Sequence, residues 1–571
     1  MVKKSKFFKS LVVIYSLIAI ILLSFSTYAL IINKDNFDGS LGGLFRVAKK
    51  GDKPLPPSGR QTIIIDKNST NVVIQSGYNY VFKGDDDWGT QESPIDLNSF
   101  DIIKGTQDQP LDAYIDGGNN YFKLVLVTEE LPNGLLGVFS GALVDLTLYA
   151  GSISNNAEVA IFASTLTQDG VIYNCTNYLN INSYSNEGFS AGFVKFLDGR
   201  IAKSKNYGDI VSSGYASGFA YSVTGSIEDC TNYGEMESTS MQSAGIAIEV
   251  SGQIKNCQNK ATIKGNAGVA GIAFKVNGGA LIDCVNGELG TDIEIYASTG
   301  NSAGVVYIVD SVEIDGEIKK GYIENCVNYA NINSHGSYGI AYSVNGDIIG
   351  SKNYGNMLSY NISAGIVCFL EGSLIRSENY GEINARNNCA SGLAHKAVGN
   401  IFNSHNYGAV ITEVGDASGI VYEMEGNIES STNNGLVHKT GWGAEKNVAG
   451  IAAIAKGQII SCKNEGQIIV DNKVELVGGI AAIMQGKIIG SQSNGTIIHN
   501  NQYESITVGG ITADLSDYEA DSETITALIQ DCEFAGGFEF KSDQAYAHYI
   551  AYSYPAGSIT NCIGMGEIYN L

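Results

Sequence analysis

Short runs of alternating apolar and polar residues recur along most of the chain and follow one template. One copy occupies residues 225–236 and reads Gly-Ser-Ile-Glu-Asp-Cys-Thr-Asn-Tyr-Gly-Glu-Met, and the next copy occupies residues 252–263. The shared template is Gly, any residue, Ile, two residues, Cys or Ser, one residue, Asn, and an apolar residue four places further on. Short runs of this kind, broken by glycine, predict strands, because helices need an apolar period of 3.6 residues.

The template recurs fourteen times, so repetition dominates the sequence. Every copy has Ile or Leu three residues before its Cys or Ser, thirteen have Gly five residues before it, and eleven have Asn two residues after it. The copies are usually 25 to 31 residues apart, with insertions before the sixth and thirteenth copies. The Cys or Ser positions are Cys175, Ser204, Cys230, Cys257, Cys284, Cys326, Ser351, Ser377, Ser404, Ser431, Cys462, Ser491, Cys532 and Cys562.

A second, uncharged element of the type Gly-Ile-Ala lies between copies, for example at residues 244–247 and 338–341. Helical repeats are disfavoured by the apolar period, and leucine-rich repeats by the scarcity of leucine at the repeat positions. About three short strands and three turns fit one unit, which forms one coil stacked about 4.8 Å from the next. Because parallel crossovers are right-handed in nearly all cases, we predict an all-β fold, a single right-handed parallel β-helix of about 14 coils and very roughly 65 Å.

The linked positions predict columns that run from coil to coil. The Ile position is apolar in every copy and faces inward, and the Cys or Ser position is a tight interior corner. The Asn position also turns inward, where stacked amides hydrogen-bond between coils. Seven tyrosines follow their Asn directly and form either an outward aromatic stripe or a row half-buried at the coil edges with only the hydroxyls wet. These are Tyr178, Tyr207, Tyr233, Tyr329, Tyr354, Tyr380 and Tyr407.

The N-terminus has the features of an export segment. Lysines in residues 1–10 precede an uncharged, mostly apolar run from Leu11 to Ile32, which predicts a hydrophobic helix with its basic flank on the cytoplasmic side. Residues 1–32 are either a signal peptide with a small-residue cleavage site at Ala29 or, since the run is long enough to cross a bilayer, a retained signal anchor. Residues 33–60, rich in Gly and Pro, are expected to be a flexible linker.

Residues 61–150 differ from the repeats and are predicted to form an N-terminal β cap that ends in one degenerate coil. Residues 141–146 match the template, with Leu146 in the Cys position. A solenoid needs such an end unit to cover the edge and core of its first coil. Residues 151–571 are then the β-helix repeats. No similar cap follows the last coil, which predicts self-association through this open C-terminal coil.

The alternation of Gly-Ile-Ala units with the Gly-x-Ile-x-x-Cys-x-Asn-x-Gly template resembles the GLUG-motif repeat proteins of bacterial cell surfaces. The Asp-Gly-Gly-Asn at residues 116–119 and the Gly-Leu-Leu-Gly-Val-Phe at residues 134–139 are similar to the segment that opens such arrays. The resemblance covers about residues 100–571, and it departs from the motif where the fourth position is not Gly, as at residues 479–482. It implies an exported β-helical protein of bacterial surfaces. Peptidase domains accompany some of these repeats, but this sequence has no His-Glu-x-x-His.

Charge and chemistry-bearing residues narrow the function classes. A net charge of −24 leaves no basic footprint for phosphates, which excludes nucleic acid as a partner. Stacked cysteines such as Cys230 and Cys257 could come within disulfide reach, but Ser replaces Cys in six copies, which favours free, buried thiols. Histidines and cysteines lack metal-ligand spacing, and the Asp85-Asp86-Asp87 run is interpreted as a solvated acidic turn rather than a calcium site.

One pair of acids has the spacing of a catalytic pair. Asp209 and Glu235 both lie two residues after their Tyr, so adjacent coils would place them about 5 Å apart, close to the separation in retaining glycosidases. No third acid continues the column, because Thr262 follows. Two solvated surface acids are the simpler interpretation.

These observations predict no catalytic, cofactor or metal site. We expect an exported, non-enzymatic protein, secreted or at the cell surface, that acts as an adhesin or extended scaffold, because every regular position has a structural role. A carbohydrate-active enzyme (polysaccharide lyase or glycoside hydrolase) and a glycan-binding module that uses the tyrosines are the alternatives on the same fold. The expected partners are surface glycans or proteins of host or neighbouring cells, with membrane anchoring by Leu11 to Ile32 if that segment is retained.

Overall fold

The computed structural model describes residues 53–124, 134–155, 158–185, 188–441, 446–520, 523–542, 545–564 and 568–570. Over these residues the chain is an all-β parallel solenoid of about 17 turns with almost no helix. The strands form two long sheets, of 46 and 27 strands, around one continuous apolar core. A single 3₁₀ helix, Leu97–Ser99, lies among the described residues. The predicted helix from Leu11 to Ile32 lies outside them.

Each regular coil carries five short strands, because glycines and turn residues interrupt the apolar runs every few residues. Three belong to the larger sheet and two to the smaller; in one coil they are Ala220–Val223, Ser226–Glu228, Thr231–Asn232, Met236–Ser238 and Ser243–Ala244. The second and third are called the isoleucine strand and the asparagine strand, after their inward-facing residues. Each pairs in parallel with its equivalent one coil away, as Ile227 does with Ile254 and Asn232 with Asn259.

The isoleucine column is longer than the fourteen copies of the template. Ile63, Tyr80, Ile115 and Leu143 precede Ile172 in it, because their strands pair in parallel one after another. The prediction of about 14 coils was therefore too low, since part of the predicted cap forms further turns with divergent sequences. The strands of this column are Thr62–Ile65, Asn79–Phe82, Tyr114–Lys123, Ala142–Ala150, Val171–Tyr173, Arg200–Ala202, Ser226–Glu228, Gln253–Lys255, Ala280–Ile282, Tyr322–Glu324, Asp347–Ile349, Ser373–Ile375, Asn400–Phe402, Asn427–Glu429, Ala452–Ile460, Ala481–Ile489, Leu528–Gln530 and Ile559–Thr560. The right hand of the coil stays a prediction.

Residues just before the first strand are hydrogen-bonded to the turns that follow it. The guanidinium of Arg60 donates to both carboxylate oxygens of Asp112, at 3.0 and 2.6 Å. The Tyr114 hydroxyl donates to the Pro54 carbonyl at 3.3 Å, and the Asn79 amide to the Pro57 carbonyl at 3.3 Å. The last part of the predicted linker, from residue 54 onward, therefore packs on the solenoid.

The asparagine column forms a hydrogen-bonded ladder inside the solenoid, as predicted. Eleven fully buried asparagines, from Asn177 to Asn464, lie one per coil. Each Nδ2 donates to the Oδ1 of the next asparagine, at 2.7–2.9 Å over ten steps. Most also donate to a carbonyl two residues further on, as Asn232 does to Gly234 at 2.8 Å. Because an unpaired buried amide is costly, such a column favours continuity.

The Cys and Ser residues of the template fill one buried corner in different ways. A serine accepts a hydrogen bond from the backbone N–H of the preceding coil and donates to the carbonyl two residues before it. Ser377 accepts from Ser351 at 3.3 Å and donates to Ile375 at 3.1 Å. The Cys257 Sγ instead lies 3.3 and 3.5 Å from two backbone carbonyl oxygens. All ten cysteines are free thiols, and those of the column except Cys562 are fully buried or nearly so.

The residue directly before each Cys or Ser has a left-handed backbone conformation. Its φ is 51° at Asn174, 54° at Asp229 and 61° at Gly350, and the same turn recurs down the column. Asn, Asp and Gly tolerate this region best, which explains their frequency at this position. The sequence carries this signal, but the template above treats the position as variable.

The two predicted insertions fold into antiparallel hairpins. The first pairs Val312–Ile314 with Glu317–Lys319, and the second pairs Tyr518–Ala520 with Glu523–Ile525. Asp315 and Gly316 both have positive φ, at 53° and 82°, as a tight two-residue hairpin turn requires. Because each hairpin closes on itself, the parallel register continues past it.

Candidate functional site

The seven tyrosines form two stacks on the outside of the solenoid. In the first stack, neighbouring ring centroids are 4.6 and 4.5 Å apart, with interplanar angles of 6° and 3°. In the second, the centroid distances are 4.7–5.1 Å and the angles 3–17°. The first stack is Tyr178, Tyr207 and Tyr233, and the second is Tyr329, Tyr354, Tyr380 and Tyr407.

This stacking leaves ring edges in solvent and covers most ring faces. Tyr233, Tyr354 and Tyr380 are each 37% exposed. The stripe therefore faces outward, and its members are also half-buried, so each of the two interpretations is correct in part. A sugar packs against the face of an aromatic ring, whereas an inner ring of a stack has both faces against its neighbours. The row is consequently poor at binding sugars except at the ends of each stack.

The row is interrupted at Lys260 and Gly287, which follow the asparagines of the two intervening coils. The Lys260 Nζ lies 6.0 Å from the Tyr233 ring centroid and 3.3 Å from a Glu288 carboxylate oxygen. Gly287 has φ +80°, and a Cβ there would lie 2.7 Å from the Ala330 nitrogen. The backbone itself therefore excludes a tyrosine at residue 287.

The candidate catalytic pair, Asp209 and Glu235, lies on adjacent coils, and both side chains are exposed. The Asp209 carboxylate accepts the backbone N–H of Glu235 at 2.9 Å. Asn180 Oδ1 does the same for the N–H of Asp209 at 2.8 Å, and Asn331 for that of Asn356 at 3.0 Å. Asp209 thus takes part in a recurring backbone contact that neutral amides make equally well, which is a structural role.

A groove of about 420 Å³ lies on the outer surface of the smaller sheet. It crosses four successive coils, where Ser298, His335, Tyr360 and Arg386 occupy equivalent positions, the first two within long strands and the last two directly after shorter strands. Its floor includes Tyr296 and the outward residues of the next two coils. The strands here are long, Glu294–Ala303 and Asn331–Tyr338, and their pairing shifts register between Ala297 and Asn301. The remaining lining residues are Ala297, Asn333, Ser334, Leu358 and Ser359.

The groove has open aromatic rings and one cation. Tyr360 is 57% exposed and Tyr296 38%. The His335 and Tyr360 ring centroids are 5.6 Å apart and inclined at 30°, so these rings do not cover each other as the stacked tyrosines do. The repeat template did not point to these residues, because they lie in the variable segment between the template and the Gly-Ile-Ala element. An Arg in a chain with 35 basic and 59 acidic residues was the available signal.

Arg386 differs from the arginines that have structural partners. Arg60 pairs with Asp112 at 2.6 Å, and Arg200 lies 3.5 Å from Glu228. Among the described residues, no ion pair or side-chain hydrogen bond engages the exposed Arg386 guanidinium. It is therefore free to receive an anion from solvent.

Three column cysteines and the buried His395 have environments unsuited to chemistry with dissolved reagents. Burial raises the pKa of the Cys175, Cys462 and Cys532 thiols to about 12, whereas a reactive cysteine has a lowered pKa. Burial lowers the pKa of His395 to about 4, and its ring stacks on Tyr422 at 4.9 Å. These groups serve packing.

Metal-ligand groupings are also absent from the part of the chain that the structure describes: no three His, Cys, Asp or Glu side chains converge there. Asp85, in the predicted acidic turn, pairs with Lys67 at 2.7 Å and accepts the backbone N–H of Asp87 at 2.9 Å. Within the same residues no helix has the length and apolar character needed to cross a membrane.

One buried lysine was not predicted. Lys439 is fully buried in an inward column, between Thr412 and Val470. Its Nζ donates to the Gly441 carbonyl at 2.6 Å and to the Glu413 carbonyl. Burial lowers the pKa of Lys439 to about 8. The lysine therefore satisfies two turn carbonyls, at a cost in desolvation.

No family model, curated protein or solved structure matches the chain. The resemblance to GLUG-motif repeats therefore stays a prediction, and the function has to be argued from the geometry above.

Proposed function

We propose that this protein is an exported, non-enzymatic rod that serves at the cell surface as an adhesin or extended scaffold. The observation that supports it is the ladder of eleven buried asparagines, which links coil to coil over ten steps. About 17 turns at roughly 4.8 Å give a body of about 80 Å. A continuous hydrogen-bonded interior of this kind suits an extended scaffold that must hold its outer surface away from the cell.

Export is the part of the proposal that rests on residues 1–32. A basic flank followed by the apolar run from Leu11 to Ile32 is the pattern of a signal peptide or a signal anchor. Cleavage of this segment would release the rod or require another means of attachment, whereas retention of the segment would anchor the rod in the membrane. Self-association through the last coil, near the exposed Ile563, is proposed as a second means of assembly.

Surface display can be tested on intact cells that express the full chain. We expect an impermeant lysine-reactive label to modify the solenoid on intact cells while leaving a cytoplasmic marker protein unlabelled. Mass spectrometry of the N-terminal peptide then distinguishes cleavage near Ala29 from a retained segment. Labelling only after lysis would contradict export.

Glycan binding is a second candidate function, and the groove lined by Tyr296, His335, Tyr360 and Arg386 favours it. Pockets that bind small molecules combine apolar and aromatic walls with a few polar groups, and occupy about 300–1,000 Å³. Its volume of about 420 Å³ falls within that range. The stacked tyrosines, by contrast, offer few open ring faces.

The enzymatic alternative is tested by product release. We expect no reducing ends from pectic or host glycans above the level given by an Asp209→Asn/Glu235→Gln double variant. Turnover that this double variant abolishes would replace the adhesin proposal with a glycoside hydrolase. Lyase products would be seen as new unsaturated ends in the same samples.

A further inference from the structure

We propose that the groove crossed by Ser298, His335, Tyr360 and Arg386 binds a carboxylated oligosaccharide. The inference deepens the glycan-binding role and rests on that proposed function for its biological meaning. Binding is measured on purified protein, whereas surface display is measured on intact cells. A failure of one can therefore be distinguished from a failure of the other.

The shape of the groove fits an extended ligand. Its rim residues come from four successive coils, which span three steps of about 4.8 Å, or roughly 14 Å along the axis. The register shift between Ala297 and Asn301 marks an irregularity in the neighbouring turn. A chain of sugars can lie along this direction and meet equivalent side chains at each coil.

The aromatic side chains supply faces for sugar rings. Tyr360 and Tyr296 are more than a third exposed, and the His335 ring is inclined to that of Tyr360 at 30° instead of stacking flat on it. Aromatic side chains combine a large apolar surface with a polar tip, which suits the C–H faces and hydroxyls of a sugar. Ser298 and Asn333 line the same groove and offer hydrogen bonds.

Charge selects the ligand class. None of the ten lining residues is an acid, and Arg386 is the one Lys or Arg among them. Glu413, one coil further along the same column, forms no ion pair with Arg386 within the described residues. A guanidinium donates two parallel hydrogen bonds to a carboxylate.

A single cation matches a single negative charge. A phosphate brings nearly two charges and is usually met by several cations or by a helix N-terminus, which this groove does not have. A polyanion such as nucleic acid would meet the strongly acidic chain. One carboxylate per binding site, as in uronic or sialic acids, is the best fit.

Binding is measured by calorimetry on the full chain with two pairs of probes. Short oligogalacturonates are compared with their methyl esters, and sialyllactose with its own methyl ester; each pair differs by the carboxylate charge. We expect the acidic member of at least one pair to bind about ten- to a hundredfold more tightly than its neutral partner, the range of a charge-assisted hydrogen bond. Which pair responds identifies the source of the acidic sugar.

Matched variants locate the site. Arg386→Gln should weaken the acidic probe by about tenfold or more and leave the neutral probe unchanged. Tyr360→Leu should weaken both probes several-fold. The control is Arg376→Gln, which removes an exposed arginine on another face of the coil and should change nothing. Because Arg386 and Tyr360 are exposed, circular dichroism and the melting temperature should be unaltered in all three variants.

Three results would overturn the proposal. One is equal binding of acidic and neutral probes, or no binding of either. Another is loss of acidic binding in Arg376→Gln to the same extent as in Arg386→Gln, which would show a general charge effect. The third is preference for a sulfated oligosaccharide over its carboxylated counterpart.

Discussion

The interior asparagine ladder and the exterior tyrosine row follow the same coils, one residue apart, yet only the ladder is continuous. Asparagine fills its position in eleven successive coils from Asn177 to Asn464. The tyrosine row breaks where Lys260 and Gly287 stand. The two positions differ in the cost of substitution. Removing a buried amide leaves its neighbours without hydrogen-bond partners, whereas removing a surface ring leaves its neighbours in contact with water.

This contrast explains why the asparagine ladder could be predicted from the sequence residue by residue, while the groove on the exterior could not. In the asparagine column one side chain satisfies the buried hydrogen bonds, and the exceptions come after the end of the ladder, as with Ser493 after Asn464. At the outward-facing positions the sequence varies from coil to coil, so residues that bind a ligand can occur there without disturbing the core.

The largest expected effect is from Asn353→Ala, in the middle of the ladder. Asn353 accepts from Asn328 and donates to both Asn379 and the Gly355 carbonyl. Removing it leaves several buried groups short of partners and opens a cavity, which together should cost about 3–5 kcal/mol. Because solenoid coils contact only their neighbours, the loss is best followed by hydrogen exchange of the surrounding backbone amides.

The end of the ladder provides the matched control for that change. Asn464→Ser copies the residue found in the next coil and disturbs the Asn433 amide from one side. We expect a loss of less than about half that of Asn353→Ala. Equal losses at the two sites would show that the ladder does not act as a linked column.

The second effect concerns the thiols and appears at alkaline pH. Burial raises the pKa of Cys462 from about 9 to about 12, so the unfolded thiol ionises first. The stabilising effect of the buried, protonated thiol on the folded state is complete below pH 9. It is lost as pH rises toward 12, by about 1.4 kcal/mol per pH unit. Cys462→Ser, which uses the chemistry of six other copies, should be nearly neutral at pH 7 and relatively more stable by about 2–3 kcal/mol at pH 11.

The buried lysine opposes this trend over part of the range. The lowered pKa of Lys439 means that its desolvation cost is full below pH 8 and disappears as pH rises to about 10.5. The gain in stability from Lys439 offsets the loss from one thiol, whereas several thiols have a raised pKa. Chemical denaturation across pH 7–11 checks the sum, and a stability that rises steadily to pH 11 would contradict buried thiols.

The third effect tests the break in the tyrosine row. Gly287→Ala places a Cβ at positive φ against the Ala330 nitrogen and should destabilise the chain by about 1–3 kcal/mol. Lys260→Tyr, at the neighbouring gap position, should be tolerated, and the new ring should extend the first stack by packing on Tyr233. A tolerated Gly287→Ala, measured by thermal unfolding, would remove the backbone explanation for the break.

The smallest effect is expected for the row itself. Tyr380→Ala removes one ring stacked on two others and should cost about 0.5–1.5 kcal/mol, because solvent replaces the lost contacts. A loss as large as that of Asn353→Ala would erase the distinction between the inside and outside columns.

The repeat template predicted the parallel fold, the inward isoleucines, the asparagine ladder and the small buried corner, because a fixed spacing reports directly on stacked positions. It missed the earliest turns, where Tyr80 fills the isoleucine column without the other template residues. It also missed the groove, since Arg386 and Tyr360 come from turns whose length and sequence change from coil to coil. Neighbouring side chains in such turns meet only after folding.

The most direct test of the central claim is side-chain hydrogen exchange on protein labelled selectively at asparagine. The account predicts that the Nδ2 protons of the ladder, from Asn177 to Asn464, exchange with deuterium far more slowly than those of exposed asparagines such as Asn333 and Asn387. Asn353→Ala should accelerate exchange at Asn328 and Asn379 first. Exchange of the ladder amides at the rate of exposed asparagines would contradict a continuous buried ladder.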